Sequence, residues 1–345
     1  MTVKCVDLFA GCGGMSRGFE DAGFEVLASL DNWKPAINVY KKNFKHPIYE
    51  QDLSNEAESI AIVSKYAPQI IMGGPPCQDF SSAGKRDETL GRADLTYSFA
   101  NIVCAIRPQY FIMENVDRIR KSAILKTVTD QFETAGYGLS AVILDASYCG
   151  VPQARTRFFL IGELGGENNI FLPELASMLN KKPMTIRDYL GNSLDIEYYY
   201  RHPRNYSRRG VFSIDEPSPT VRGVNRPVPK GYSKHSGDPE NIPISQLRPL
   251  TTIERSYLQT FPKNFIFEGT KTNLEQMIGN AVPINLAKFV ALALKKHIEN
   301  AAQKRQLPKQ RANLFAFIDS VLYIPETGLH RTSWALCGSL QLSLN

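Results

Sequence analysis

The sequence predicts an α/β protein: a doubly wound, mostly parallel sheet with a smaller loop-rich domain set late in the chain. Three observations lead there. In the first 160 residues, short continuous apolar runs alternate with amphipathic segments, the pattern of strands covered by helices on both faces. From about 166 to 247 that alternation stops, and Pro, Arg, Tyr, Asn and Ser dominate. At 345 residues the chain can bury one large core and a smaller one.

The elements follow in order. "KCVDLF" (4–9) is a strand, and the helix after "AGCGG" places Phe19 and Ala22 on one face. "EVLASLD" (25–31) is a strand, and "PAINVYKKNF" (35–44) a helix opened by its proline. "QIIMGG" (69–74) is a short buried strand and "LTYSFANIVCAI" (95–106) a helix. "QYFIMEN" (109–115) is a strand, the helix over 124–136 ends on Gly136, and strands follow at 137–146 and 157–164. After the loop-rich stretch, "LRPLTTIERSYLQTFP" (247–262) returns to the first domain, and a long helix follows the "GNAVP" turn. The expected division is 1–165 catalytic, 166–247 recognition, 248–300 catalytic again and 301–345 a tail of unknown role.

Composition excludes several classes. No apolar run reaches the ~18 residues that span a bilayer, and "MTVKCVDLFAGCGG" lacks the features of a signal peptide. The six cysteines are scattered without paired spacing, so neither a disulfide framework nor a zinc cluster is indicated. The five histidines form no spaced cluster, and no metal site is expected. A monomer in a reducing cytoplasm is the expectation. The net charge is +6, and the stretch 198–235 alone carries eight Lys/Arg against Asp215 and Glu216. One short segment thus holds the excess of the whole chain, which favours a polyanion partner over an ordinary solvated face.

Candidate chemistry lies at the strand ends, where ligands of such sheets bind. Gly11, Gly13 and Gly14 follow a strand and open a helix, fitting either a nucleoside cofactor or a tight turn. The spacing is not that of a dinucleotide site, because Ser16 takes the last glycine's place. Asp31 and Asp52 follow two strands and suit ribose or adenine groups, although a strand-end acid also serves as a cap. In "GGPPCQ" two prolines fix Cys77 over the strand ends, where a nucleophile fits better than a packing thiol. The polar loop 81–94 suits a lid. Glu114 ends an apolar strand, as a satisfied structural acid or as a proton donor of raised pKa. Arg155 and Arg157 alternate into a strand and point to one side.

These motifs, in this order, resemble the bacterial DNA (cytosine-5)-methyltransferases. The match runs from "VDLFAGCGGMSRGFEDAGF" through "GGPPCQDFSSAGKR", "MENV", "GVPQARTRFFLIG" and "RPLTTIERSYLQTFP" to "QMIGNAVPINLAKFVALAL", over about 3–298. The resemblance implies a Rossmann-like domain binding S-adenosyl-L-methionine and a target-recognition domain over 166–247. Phe9, Gly11, Gly13 and Gly14 would contact the cofactor, Asp31 its ribose and Asp52 its adenine. Asn32 stands where an aromatic or apolar residue commonly stacks on adenine, which would weaken that face; Pro76 and Leu95 would seat the methyl end. Asn280 would join the cofactor site and fix the two domains together. Cys77 would be the nucleophile, Glu114 the acid at the base's N3, and Arg155 and Arg157 the groups orienting them. Ser81, Ser82, Arg208, Arg209, Thr220, Arg222, Asn225 and Arg226 would contact double-stranded DNA, the last three reading bases. Asp31 is shorter than the family's usual glutamate, and Tyr257 and Thr260 replace a common arginine and glycine.

The implied reaction is methyl transfer to carbon 5 of a flipped-out cytosine, with a cognate restriction endonuclease as a further partner. A tRNA methyltransferase of related fold would show a reduced recognition region, and a non-catalytic DNA-binding relative would have lost Cys77 or Glu114. An oxidoreductase would need the dinucleotide glycine spacing.

Overall fold

The strands expected over 4–9, 25–31, 69–74, 109–115, 137–146 and 157–164 all lie in one seven-stranded sheet. The computed structural model describes residues 2–76, 94–203, 205, 207–240, 242 and 244–306. The order of elements is β1 (Lys4–Leu8), α1 (Gly14–Asp21), β2 (Glu25–Asp31), α2 (Lys34–Asn43), β3 (Ile48–Glu50), α3 (Glu56–Ser64) and β4 (Ile70–Gly73). Then come α4 (Asp94–Ile106), β5 (Tyr110–Val116), α5 (Ala123–Thr134), β6 (Tyr137–Asp145), β7 (Gln153–Ala154) and β8 (Thr156–Leu164).

The sheet order is β3-β2-β1-β4-β5-β8-β6. The first five strands are mutually parallel, and β8 alone runs against its neighbours β5 and β6. Its direction follows from its connection. Residues 146–155 return from β6 without a crossover helix, which a parallel neighbour would need. Successive side chains divide between the two faces. Cys5, Ile70, Met72, Ile112 and Phe159 pack under α1. Val6, Ile71, Phe111, Met113 and Phe158 pack against α3, α4 and α5 on the other side. The doubly wound architecture is therefore present.

Beyond β8 the chain forms α6 (Leu172–Met178), α7 (Ile186–Leu190), β9 (Tyr198–Tyr200), β10 (Val211–Ser213) and β11 (Ser218–Pro219). The return comprises α8 (Thr252–Leu258), α9 (Lys271–Asn280) and α10 (Ile284–Gln306). Two findings differ from the sequence reading. Residues 166–247 do contain helix, for Thr185 and Asp188 form a reciprocal cap on α7. Moreover, Phe171 and Leu175 are buried in the α1-side core, so α6 packs on α10 beneath the sheet. The stretch 271–303 is long and apolar enough to cross a membrane, yet 67% of its apolar window is buried inside the protein. That burial is the packing of a core helix against α1.

A third apolar cluster joins the two parts of the molecule. Ile186, Tyr199, Phe212 and Val221 meet Leu258, Met277 and Ile278 of the return segment, and Tyr40 and Phe44 near α2.

A candidate active-site cleft at the strand ends

A cleft of about 810 Å³ opens beyond the carboxyl ends of β1, β2, β4 and β5, within the range of small-molecule sites. Phe9, Gly11, Gly14, Asp31, Asn32 and Trp33 border one end, and Pro75, Pro76, Glu114 and Arg157 the other. The turn between α9 and α10, including Asn280, forms the facing wall. Phe9 itself takes a left-handed φ of 59°, a conformation that L-residues rarely adopt. A Cβ on Gly14 would lie 2.2 Å from the carbonyl oxygen of Val282. Only glycine lets that wall close over the start of α1.

Asp31 holds this loop in place. Its Oδ2 accepts from the Gly11 N–H at 2.8 Å, and its Oδ1 from the Trp33 N–H at 2.8 Å. Burial raises its pKa, and those backbone donors oppose the rise. Trp33 is half-buried at the cleft while Asn32 is exposed. The aromatic face missing at Asn32 is thus present one residue on.

The other end of the cleft carries a carboxyl and a cation. Glu114 is buried, and its Oε1 lies 2.8 Å from Arg157 Nε. Burial pushes its pKa up, while Arg157 and then Arg155 pull it down. The rise prevails, so this carboxyl keeps a proton to higher pH than an exposed glutamate. Asn115 Nδ2 donates to the Pro75 carbonyl at 3.3 Å. The proline turn is thereby tied to the strand that carries Glu114. Cys77, Ser81 and Ser82 lie outside the described residues.

Several expected residues take other places. Asp52 does not border the cleft; its Oδ1 accepts from the backbone and hydroxyl of Ser54 at 3.0 and 2.8 Å. Leu95, in the first turn of α4, does not border it either. Arg155 is 1% exposed. It donates to the carbonyls of Val221, Gly279 and Ala281 at 3.0, 3.0 and 3.1 Å. Its guanidinium ties the recognition side to the cleft wall instead of facing a base. Gly279 permits this close approach, since a Cβ there would meet the Gly223 nitrogen at 2.3 Å.

The DNA candidates divide the same way. Arg209 pairs with Glu216 and stacks over Phe212 at 4.3 Å. Thr220 Oγ1 donates to the Ala154 carbonyl at 3.0 Å. Arg222 donates to the His202 carbonyl, and Asn225 Nδ2 to that of Leu250 at 2.7 Å. Both side chains brace their own loop in this structure. Arg208 and Arg226 are exposed, as is Val224 at 61%.

Sequence reasoning missed a buried polar seam behind this loop. Gln153, fully buried, donates to Leu258 O at 3.0 Å and Gln259 Oε1 at 2.8 Å, and accepts from the Val221 N–H at 2.8 Å. Arg255 and Glu275 form a buried ion pair beside it. Thr260, in place of the common glycine, holds a left-handed φ of 60°. Its hydroxyl accepts from the Asn285 N–H at 2.9 Å, at the start of α10.

Comparison with known proteins agrees with this geometry. Residues 3–296 match the model of the C-5 cytosine-specific DNA methylase family. The chain is 68% identical over 292 residues to the Type II methyltransferase M.HindV of Haemophilus influenzae, covering 85% of this chain and 96% of that one. It is 54% identical over 305 residues to M.HgiDI of Herpetosiphon aurantiacus, covering 88% and 98%. Among solved structures, the Schizosaccharomyces pombe Dnmt2 methyltransferase is similar with a TM-score of 0.65 at 18% identity, over 86% and 99% of the two chains. A putative prophage DNA modification methyltransferase of Escherichia coli gives 0.63 at 22%, over 86% and 100%.

Proposed function

Because the chain belongs to the C-5 cytosine-specific DNA methylase family, and so is a DNA (cytosine-5)-methyltransferase, we propose that it modifies a flipped-out cytosine through Cys77 with S-adenosyl-L-methionine as methyl donor. One observation carries this reading. A buried carboxyl of raised pKa, Glu114, sits beside Arg157, on the strand tied to the proline turn that leads into Cys77.

The cleft suits that cofactor. Trp33 offers an aromatic face, Phe9 and the glycine loop a close backbone approach, and Asp31 a carboxyl at the nucleoside end. Pro76 and the Asn280 turn close the opposite sides. When bound, S-adenosylmethionine supplies an electrophilic methyl group. The residues of the chain prepare the base. Cys77 adds to carbon 6 while Glu114 holds a proton at N3, which limits the negative charge built on the ring. Carbon 5 thereby becomes nucleophilic. Arg157 fixes the Glu114 carboxyl, and Arg155 fixes the recognition loop to the cleft wall. Cys77 leaves when carbon 5 gives up its proton. The base must first leave the duplex, which costs a few kcal/mol.

The remaining assignments belong to the same proposal. The catalytic domain comprises 1–165 and 248–300, with α6 packed against it, and the basic unit up to 247 recognises DNA. The protein acts as a monomer in the cytoplasm, beside a cognate endonuclease. Bisulfite sequencing of DNA from cells expressing the chain tests this. Protected cytosines within one short sequence are expected, and an unprotected genome despite soluble protein contradicts the reading.

A further inference from the structure

Gln153 and Gln259 are fully buried and take no part in the chemistry above. Gln153 lies on β7, which pairs with β11 just before the recognition loop, Ser218 opposite Gln153 and Pro219 opposite Ala154. Gln259 caps the end of α8. Gln153 Oε1 accepts from the Val221 N–H at 2.8 Å, and its Nε2 donates to Leu258 O at 3.0 Å and Gln259 Oε1 at 2.8 Å. Gln259 Nε2 donates to the carbonyls of Ile278 and Ala281 at 2.5 and 3.0 Å. Carboxamides paired in this way have one orientation only. Turning either one over would set oxygen against carbonyl oxygen and nitrogen against an N–H.

Arg155 closes these bonds into a ring. Its Nη1 donates to the Val221 carbonyl, and its Nη2 to those of Gly279 and Ala281. Val221 is thus held at both ends, its N–H by Gln153 and its carbonyl by Arg155. Both lines of bonds meet at the Ala281 carbonyl. Gly279 and Ala281 border the cleft, whereas Val221 does not. Backbone contact reinforces the ring. A Cβ on Gly279 would lie 2.3 Å from the Gly223 nitrogen and 2.4 Å from the Arg222 carbonyl carbon. The loop cannot shift toward the cleft wall without displacing it.

We propose that this ring couples the reading of DNA to the binding of the cofactor, with Gln153 and Gln259 as its positioning residues. This rests on the S-adenosylmethionine reading above. Each ligand orders a different edge of the ring. A duplex does so through the exposed Val224 and Arg226, on the loop that Val221 begins. The cofactor does so through the wall at Gly279, Asn280 and Ala281. Whichever binds first has already ordered part of what the second requires. The coupling is therefore positive, and each ligand strengthens the other by the same factor.

Other ties between the two parts do not serve this purpose as well. The apolar cluster of Phe212, Val221, Leu258, Met277 and Ile278 also joins them, but apolar burial is non-directional and fixes no backbone group. Arg255 donates to the Arg222 carbonyl and pairs with Glu275. That tie ends on a residue that does not border the cleft. The ring of Gln153, Gln259 and Arg155 alone joins named backbone groups of the loop to named backbone groups of the wall, among the described residues.

Calorimetry on the whole protein tests the coupling with S-adenosylhomocysteine and a duplex carrying the sequence that bisulfite sequencing identifies. The wild type is expected to bind this ligand about tenfold more tightly with that duplex than without it, and a scrambled duplex to change affinity by less than about twofold. Gln153→Met and Gln259→Met, of similar volume, should each reduce the tenfold factor to less than about threefold. Their affinities for the ligand without DNA, and for scrambled DNA, should stay near wild type. Tyr137→Phe is the matched control. It removes a buried hydrogen bond to the Pro108 carbonyl at the amino end of the sheet and should keep the full factor. Hydrogen exchange reads the same link in the wild type alone, and decides if neither methionine variant folds. S-adenosylhomocysteine without DNA should slow the amides over 219–223, which do not border the cleft. Full coupling in both methionine variants, equal loss in Tyr137→Phe, or unchanged exchange over 219–223 on ligand binding overturns the ring as the coupling element. Absence of ligand binding with and without DNA contradicts the cofactor reading instead.

Discussion

Arg157 and Arg155 stand two residues apart, yet they belong to two differently built regions. Arg157 sits on β8, paired opposite Val116 in the sheet, and reaches Glu114 across that ladder. Arg155 precedes the strand and spends its guanidinium on carbonyls from the recognition loop and the α9–α10 turn. The first region is positioned by sheet register, and the second by side chains that pin distant backbone. A position fixed by register tolerates changes to its neighbours' chemistry. One fixed by a single buried cation does not.

The largest effects are expected in the first region. Cys77→Ser should abolish transfer while cofactor and DNA affinities, measured by calorimetry and gel shift, stay near wild type. Glu114→Gln should lower the single-turnover rate by about 10²–10⁴-fold, since the amide still hydrogen-bonds but is a poor acid. The sign of its pH dependence follows from the raised pKa. The wild-type rate is retained where Glu114 is protonated and falls as pH rises through that raised value. Glu114→Gln should remove that limb, and its persistence would assign the limb to another group.

The second region should break structurally before it breaks chemically. Arg155→Met leaves three buried carbonyls without their donor, an expected loss of about 3 kcal/mol in urea unfolding. Arg155→Lys should recover little, because one ammonium cannot reproduce the fan of the guanidinium. Smaller still, Asn225→Ala should cost about 1–2 kcal/mol of stability. Arg226→Ala should stay within about 0.5 kcal/mol of wild type and change sequence preference instead. Equal stability losses for these two would erase the distinction between bracing and reading residues. Smallest of all, Arg208→Ala should reduce the salt slope of DNA binding by about one.

The same contrast explains what the sequence could reveal. Strands with periodic apolar runs are local signals, so the sheet was legible, and with it the strand-end positions of Glu114 and the Phe9–Gly14 loop. The antiparallel β8 was hidden because direction depends on a connection, not on composition. Asn32 and Trp33 both follow the same strand end and border the cleft, and only the fold shows that Trp33 brings an aromatic face there. Arg222 and Asn225 look like base readers because a basic loop usually faces outward. Their partners, His202 and Leu250, are about 20 and 25 residues away in sequence, beyond any local pattern. The partners of Arg155 were hidden for a like reason, since Val221, Gly279 and Ala281 are not written next to it.

Fluorinated DNA tests the central claim most directly. With fluorine at carbon 5 of the target cytosine, Cys77 can add and the methyl can transfer, but no proton remains to be lost. The protein should stay joined to the DNA through denaturing electrophoresis, only with S-adenosylmethionine present, and not as Cys77→Ser. Active wild-type protein that forms no cofactor-dependent adduct would contradict cysteine addition at carbon 6.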